Sequence, residues 1–159
     1  MKKLIGGAAL AGLMILAVAA TALATSSSGF STEQLSVGRF GELDVKTKDV
    51  KLKTKEESDV YVVRNTVLPG GQSGWHYHPG PSMVTVVQGT ATFYDGDDPT
   101  CTPRVFPAGT GIIDDAVDAA HVHLLRNNGD VPLVTVTVQI LPAGATRRVD
   151  APRPGNCSF

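Results

Sequence analysis

The chain has little net charge. Its 14 lysine and arginine residues nearly balance its 15 aspartate and glutamate residues, for a formal net charge of −1 at pH 7. Two of the lysines lie within residues 1–24, which contain no acid, so the remainder is slightly more acidic. A composition without a basic excess gives no electrostatic attraction to nucleic acid or to an anionic membrane surface. We therefore expect neither as a partner.

Helical periodicity is also missing. From Leu35 onward, short segments rich in β-branched residues alternate with turns containing glycine, proline or asparagine. The predicted strands are Val37–Val45, Val50–Lys53, Asp59–Leu68, Met83–Gln88, Thr90–Tyr94, Arg104–Phe106, Gly111–Ile113, His121–Arg126, Leu133–Leu141 and Arg147–Val149. About ten short strands in one domain are typical of an all-β sandwich or barrel. Val134 to Val138 alternates apolar with polar residues, which predicts one buried face, and we place Val136 in the core.

The N-terminus has the features of an export signal. A basic start is followed by an uncharged apolar run from Leu4 to Ala20, and Ala22-Leu23-Ala24 supplies the small residues of a cleavage site. We predict a signal peptide over residues 1–24 and a secreted protein, extracellular or periplasmic, without stable membrane association after cleavage. An uncleaved anchor remains the alternative, because the apolar run is almost long enough to span a bilayer.

The rest of the chain is long enough for one domain. We predict a disordered polar leader over residues 25–34 and a β-barrel domain over residues 35–159.

Cysteine is scarce, with only Cys101 and Cys157. An even number of cysteines in an exported protein predicts a disulfide, which here would join the C-terminal tail to the loop ending at Cys101. The alternative is that both thiolates bind a metal. It is disfavoured because neither cysteine has a partner at metal-binding spacing.

The four histidines form two pairs, His76-Tyr77-His78 and His121-Val122-His123. Side chains two residues apart on a strand point to the same face, so each pair can direct both imidazoles to one point. Imidazole is the commonest protein ligand for transition metals. The pattern predicts a metal site inside a β-barrel.

Two motifs around these pairs resemble those of the cupin superfamily. The first has glycine, five residues, H-x-H, three or four residues, a glutamate, six residues and glycine, and it is matched by Gly70, His76, His78 and Gly89. Ser82 stands where the glutamate is expected. The second motif is matched by Pro107, Gly109, His123 and Asn127, with a longer interval before the histidine. The resemblance covers roughly residues 59–141 and implies a jelly-roll barrel, also called a double-stranded β-helix.

The resemblance also implies a ligand set. His76, His78 and His123 stand at the positions of metal ligands, and the cofactor would be one divalent transition metal: iron, manganese, zinc, nickel or copper. Some cupins, among them thiol and diketone dioxygenases, likewise use three histidines without the glutamate. His121 is either a fourth ligand, a residue near the open coordination position, or an exposed residue at the rim.

Two further groups receive more ordinary interpretations. Asp114, Asp115 and Asp118 form an acidic cluster that contains a possible replacement for the glutamate, although a solvated loop is the favoured interpretation. Arg147 and Arg148 are interpreted as a solvated pair.

We therefore expect an exported metal-binding cupin that acts on a small molecule, as a dioxygenase or a related oxidoreductase. The alternatives are a three-histidine zinc hydrolase or lyase, or a non-enzymatic module that binds a small molecule or a sugar. The resemblance also allows a homodimer.

Overall fold

The computed structural model describes residues 23–115 and 117–159, and these residues form strands but no helix. Most of the predicted signal peptide lies outside this range. The strands are β1 (Ser28–Phe40), β2 (Asp44–Lys46), β3 (Lys51–Lys53), β4 (Ser58–Gln72), β5 (His76–Tyr77), β6 (Ser82–Gln88), β7 (Thr90–Asp95), β8 (Arg104–Pro107), β9 (Gly111–Asp114), β10 (His123–Arg126), β11 (Leu133–Pro142) and β12 (Val149–Asp150). The predicted all-β class is confirmed.

The long strand β4 lies at the centre of the sheet. It pairs antiparallel with β1 along one edge and with β11 along the other. β11 continues to β6, and β6 to β9. These paired strands form one wall of the barrel.

The second wall is built around β10. This strand pairs with β7 and, at His123, with His76 of β5. β7 pairs further with β8, and β5 with β12. A single pair between Arg126 and Gln72 joins β10 to β4. The sheet thereby curls into a nearly closed antiparallel barrel, the double-stranded β-helix that the motifs predict.

Two apolar clusters lie on opposite faces of the second wall. Consecutive residues of a strand point to opposite faces. Phe93 and Leu125 therefore belong to the first cluster, and Tyr94 and Leu124 to the second. The first cluster fills the barrel interior together with Val67, Val86, Ala91, Ile112 and Leu133. The second lies outside the barrel beneath the C-terminal tail and contains Trp75, Val122, Ala151 and Cys157.

The segment predicted as a disordered leader is largely a strand. β1 begins at Ser28, so the prediction of disorder over residues 25–34 is wrong for most of its length. Its residues are mainly exposed and polar, which is why burial periodicity gives no signal there. Backbone hydrogen bonds to β4 hold the segment in place instead.

The C-terminal tail is held against the second wall by its cysteine. Cys101 and Cys157 lie at disulfide-bonding distance, with their Cα atoms 5.3 Å apart, in agreement with the predicted pairing. Asn156 supports the same contact by donating hydrogen bonds to the carbonyl oxygens of Asp95 and Asp98. In the part of the chain that the structure describes, no helix is long and apolar enough to cross a membrane.

Candidate metal centre

The first two candidate histidines are fixed by backbone carbonyl groups. Nδ1 of His76 lies 2.9 Å from the carbonyl oxygen of Gly74, and Nδ1 of His78 lies 2.7 Å from that of Arg147. A carbonyl oxygen only accepts hydrogen bonds, so both Nδ1 atoms must carry the proton. In the neutral ring each Nε2 then presents a lone pair, which is the form that binds a metal.

His123 comes from the neighbouring strand. It is the register partner of His76 in the β5–β10 pair, so strand pairing itself brings the two rings together. Its ring stacks on Phe93 with the two planes 10° apart and their centroids 5.0 Å apart. The strand and the aromatic ring together hold this imidazole in one orientation.

The three rings converge on one point. His76, His78 and His123 each offer a ligand atom within 4.8 Å of the other two, and all three residues are buried. The Nε2 atoms of His76 and His123 are 3.0 Å apart. Two ligands of one metal at bond lengths of about 2.1 Å stand roughly 3.0–3.4 Å apart, so this spacing fits a shared ion.

Asp114 lies beside the same point. It is only 4% exposed, and its Oδ1 is 3.2 Å from Nδ1 of His123 while its Oδ2 is 3.5 Å from Nε2 of His78. The expectation of a solvated loop is therefore wrong for Asp114, because it is the last residue of β9 and shares the inward face of that strand with buried Ile112. It is correct for Asp115 and Asp118, which are both exposed.

Burial keeps the imidazoles neutral. It is the largest influence on all three, and it lowers the pKa of His78 to about 4. It lowers the pKa values of His76 and His123 well below the ordinary value, and neighbouring histidines lower them further. Neutral rings are the metal-binding form, so the site is prepared to bind a cation near neutral pH.

The arrangement of the three imidazole rings fits a metal ion. The His78 Nε2 lone pair faces a carboxylate oxygen, and the His76 Nε2 lone pair faces His123. The neutral ring of His123 has one N–H proton. That proton points either from Nε2 to His76 or from Nδ1 to Asp114, but not to both. Among the described residues, Nδ1 of His123 has no hydrogen-bond partner of good geometry. A divalent ion among these acceptors satisfies several of them at once, as imidazole and carboxylate donors do for iron, manganese or zinc.

The comparison with known families agrees with this geometry. Residues 63–139 match the family model described as a cupin domain, a stretch that contains the three clustered histidines and Asp114. The chain belongs to the cupin superfamily. A search of curated protein sequences gives no significant match.

Several solved structures are similar to this cupin. One is an uncharacterised conserved protein with a double-stranded β-helix domain from Klebsiella pneumoniae, with 28% identity over 58% of this chain and 74% of that one and a TM-score of 0.48. A cupin 2 conserved barrel domain protein from Leptotrichia buccalis has 14% identity over 70% and 40% of the two chains, with a TM-score of 0.46. An oxalate decarboxylase from Lactobacillus farciminis, solved as a formate complex, has 24% identity over 57% and 26%, with a TM-score of 0.47.

The remaining motif residues of the cupin domain have structural tasks. Gly89 adopts a positive φ of 75°, and an added Cβ there would lie 2.9 Å from the Pro132 carbonyl oxygen, so only glycine suits this turn. Asn127 is fully buried and donates to the carbonyl oxygens of Val67 and Val131 at 2.9 and 2.8 Å. It fastens the loop after β10 rather than contributing to the metal centre.

One wall of the cupin cavity above the histidines carries polar side chains. Thr135, Thr137 and Gln139 of β11 point inward and line it, whereas Val136 points to the other face. The alternation of β11 was predicted, but the placement of Val136 in the core was wrong. The cavity volume is about 50 Å³. One water molecule needs roughly 10–15 Å³ of cavity volume measured in this way, so the cavity suits a molecule of only a few heavy atoms.

Two arginines also line this cavity, contrary to the expectation of a solvated pair. Arg147 is half-buried and donates from Nη1 to the neutral amide oxygen of Gln139 at 3.1 Å. Burial, followed by the neighbouring charge of Arg148, lowers the pKa of Arg147. Sequence patterns gave no signal for this, because only the pairing of β12 with β5 brings the tail to the cavity.

His121 lies outside the cluster. It is exposed, and its Nδ1 is 2.9 Å from Oδ1 of Asp118. That hydrogen bond and charge raise the pKa of His121, in contrast to the three buried rings. The geometry corresponds to the rim position among the alternatives given for this residue.

Proposed function

We propose that this cupin is a metal-dependent oxidoreductase of the dioxygenase type that acts on a small anionic molecule. His76, His78 and His123 bind one divalent transition metal, with iron or manganese favoured because the Asp114 carboxylate lies beside the three imidazoles. The observation that carries the proposal is the convergence of three neutral imidazoles at the base of a polar cavity. When bound, the metal supplies an electrophilic centre with open positions for substrate and dioxygen.

The chain's own residues define the substrate class. The Arg147 guanidinium is half-buried beside the cavity, and its Nη1 donates to a neutral amide instead of a carboxylate. A desolvated cation of this kind favours a negatively charged ligand, and its planar fork suits a carboxylate group. Gln139 and Thr137 add polar groups for orientation, since the Thr137 hydroxyl is buried without a hydrogen-bond partner among the described residues. Stacked Phe93 holds the His123 ring in place.

The substrate class is tested with acetate on protein loaded with Co²⁺, whose visible spectrum reports ligand binding. We expect acetate to change the spectrum and the uncharged isostere acetamide to do so at least tenfold less well. Arg147→Met should weaken acetate binding, whereas Arg153→Met, at an exposed position, should not. Equal responses to acetate and acetamide would argue against an anionic substrate.

The reaction class is tested by measuring oxygen uptake by iron- and manganese-loaded protein across a panel of small carboxylic acids. Uptake of one dioxygen per substrate consumed is the expected result. Activity of the zinc-loaded protein without oxygen uptake would instead support a hydrolase or lyase. A fully metallated protein that binds acetate but turns over nothing would support a binding module.

Export also belongs to this proposal. The cysteine pair at disulfide distance suits an oxidising compartment. The mass of the protein recovered outside the cytoplasm should correspond to a chain that begins at Thr25. Recovery of the full-length chain would contradict cleavage.

A further inference from the structure

Ser82 and Asp114 are direct partners across two neighbouring strands. They face each other in the β6–β9 register, and both are buried at the cavity wall. Ser82 occupies the position where the motif has its glutamate. Asp114 carries the carboxylate that Ser82 lacks, and it lies on the neighbouring strand.

The orientation of the Asp114 carboxylate indicates a ligand rather than a hydrogen-bond acceptor for His78. In the neutral ring of His78 the single proton is on Nδ1 and is donated to the Arg147 carbonyl oxygen, which leaves a lone pair on Nε2. That lone pair faces Oδ2 of Asp114 at 3.5 Å. A neutral imidazole lone pair and a carboxylate oxygen do not attract each other, but both bind the same cation. Their separation is close to the spacing of roughly 3.0–3.4 Å for two ligands of one metal.

Ser82 itself is engaged elsewhere. Its hydroxyl accepts a hydrogen bond from Nε2 of Gln139 at 3.0 Å, and Gln139 in turn accepts one from Arg147. The position vacated by the glutamate therefore belongs to the polar wall of the substrate cavity. The carboxylate next to the histidines is thus that of Asp114, while Ser82 gives the cavity wall a polar contact with Gln139.

We propose that Asp114 is the fourth protein ligand of the metal and replaces, from strand β9, the glutamate that the cupin motif carries at the position of Ser82. The inference rests on the proposed metal site but not on the proposed reaction. It assigns a centre of three histidines and one carboxylate, in which Asp114 neutralises one of the two charges of the metal ion.

The test measures Co²⁺ affinity and the visible spectrum of bound Co²⁺ in wild-type protein and three variants. Asp114→Asn keeps the side-chain size, and Asp115→Asn is the matched control at the exposed neighbouring position. We expect Asp114→Asn to weaken Co²⁺ binding more than about 100-fold, since loss of a residue that only supports a ligand typically costs 10–100-fold. Its residual spectrum should also change shape. Asp115→Asn should match the wild type.

The third variant carries both Ser82→Glu and Asp114→Ser, which returns the carboxylate to the motif position. Ser82 lines the cavity, so a longer side chain can extend into it. We expect Co²⁺ affinity to recover to within about tenfold of the wild type. Urea unfolding of each metal-free variant shows whether it is folded.

The outcomes separate this inference from the proposed function. Wild-type affinity and spectrum in Asp114→Asn would overturn the assignment of Asp114 and leave the three-histidine site in place. A folded double variant that binds Co²⁺ no better than Asp114→Asn would also overturn the proposal that Asp114 replaces the glutamate of the motif. Failure of the wild-type protein to bind Co²⁺ would overturn the metal site itself.

Discussion

At the scale of single residues, the ion pair of Arg39 and Asp59 connects three segments. Asp59 is buried in β4 and accepts hydrogen bonds from Nε and Nη2 of Arg39 at 2.9 and 3.0 Å and from the Gly144 amide at 2.8 Å. The Arg39 bonds, followed by that of Gly144, lower the pKa of Asp59 to about 2. This carboxylate therefore binds its proton less tightly in the folded state than in the unfolded state.

The pH dependence of stability follows from that shift. The contribution of Asp59 is complete above its ordinary pKa of 3.8 and is lost as the pH falls towards about 2. Asp59→Asn should lower the urea midpoint at pH 6, and its difference from the wild type should shrink between pH 4 and pH 2. Asp44→Asn, in an exposed pair with Lys53, should leave the midpoint nearly unchanged. A difference that stays constant down to pH 2 would contradict this assignment.

The three clustered histidines were predictable from the sequence, whereas the residues around them were not. Strand alternation and motif spacing brought out His76, His78 and His123 because each criterion is local. The inward orientation of Thr135 and Thr137 could not be inferred, because alternation shows that a strand has two faces but not which face is buried. The polar face of β11 lines the cavity, and this depends on the whole barrel.

At the scale of elements, the turn after β5 has little space. An added Cβ at Gly80 would overlap the backbone carbonyl oxygen of Ile140, and the neighbouring Pro81 carbonyl accepts a hydrogen bond from the Ile140 amide. The turn follows His78 directly, so its position also sets the position of that proposed ligand.

Gly80→Ala should therefore lower stability by roughly 1–3 kcal/mol, as overpacking typically does, and weaken Co²⁺ binding as well. Gly41→Ala is the control, because a Cβ there meets no atom of the described residues within 4 Å. Urea unfolding and Co²⁺ titration measure both effects. Equal unfolding midpoints for the two variants would show that the turn can move without cost.

The exact ends of the strands explain why the position of Asp114 was not predicted from the sequence. The predicted strand Gly111–Ile113 ends one residue before β9 does, and that residue is Asp114. One more step of alternation places Asp114 on the face of Ile112, a signal that was present but overridden by the neighbouring acids. The part of β1 before Val37 was missed for a different reason, since an exposed edge strand has neither an apolar face nor alternation.

At the scale of the whole molecule, the cysteine pair joins the tail to the loop after β7 across a sequence separation of 56 residues. Closing a loop of this length contributes about 4 kcal/mol in the chain-entropy model. A variant with Cys101→Ser and Cys157→Ser should lose stability of that order in urea unfolding, and a reducing agent should have the same effect on the wild type. A reducing agent that also shifts the midpoint of the double variant would show that the effect is not due to the disulfide.

The central claim about the whole molecule is that the barrel holds one metal ion beneath a small polar cavity. The most direct measurement is elemental analysis of the purified protein, before and after loading with iron, manganese or zinc, beside His76→Ala and His123→Ala. We predict about one equivalent of a divalent transition metal in the wild type and less than about a tenth of that in either variant. Metal content that is unchanged in both variants, or a wild-type protein that binds none of these ions, would contradict the central claim.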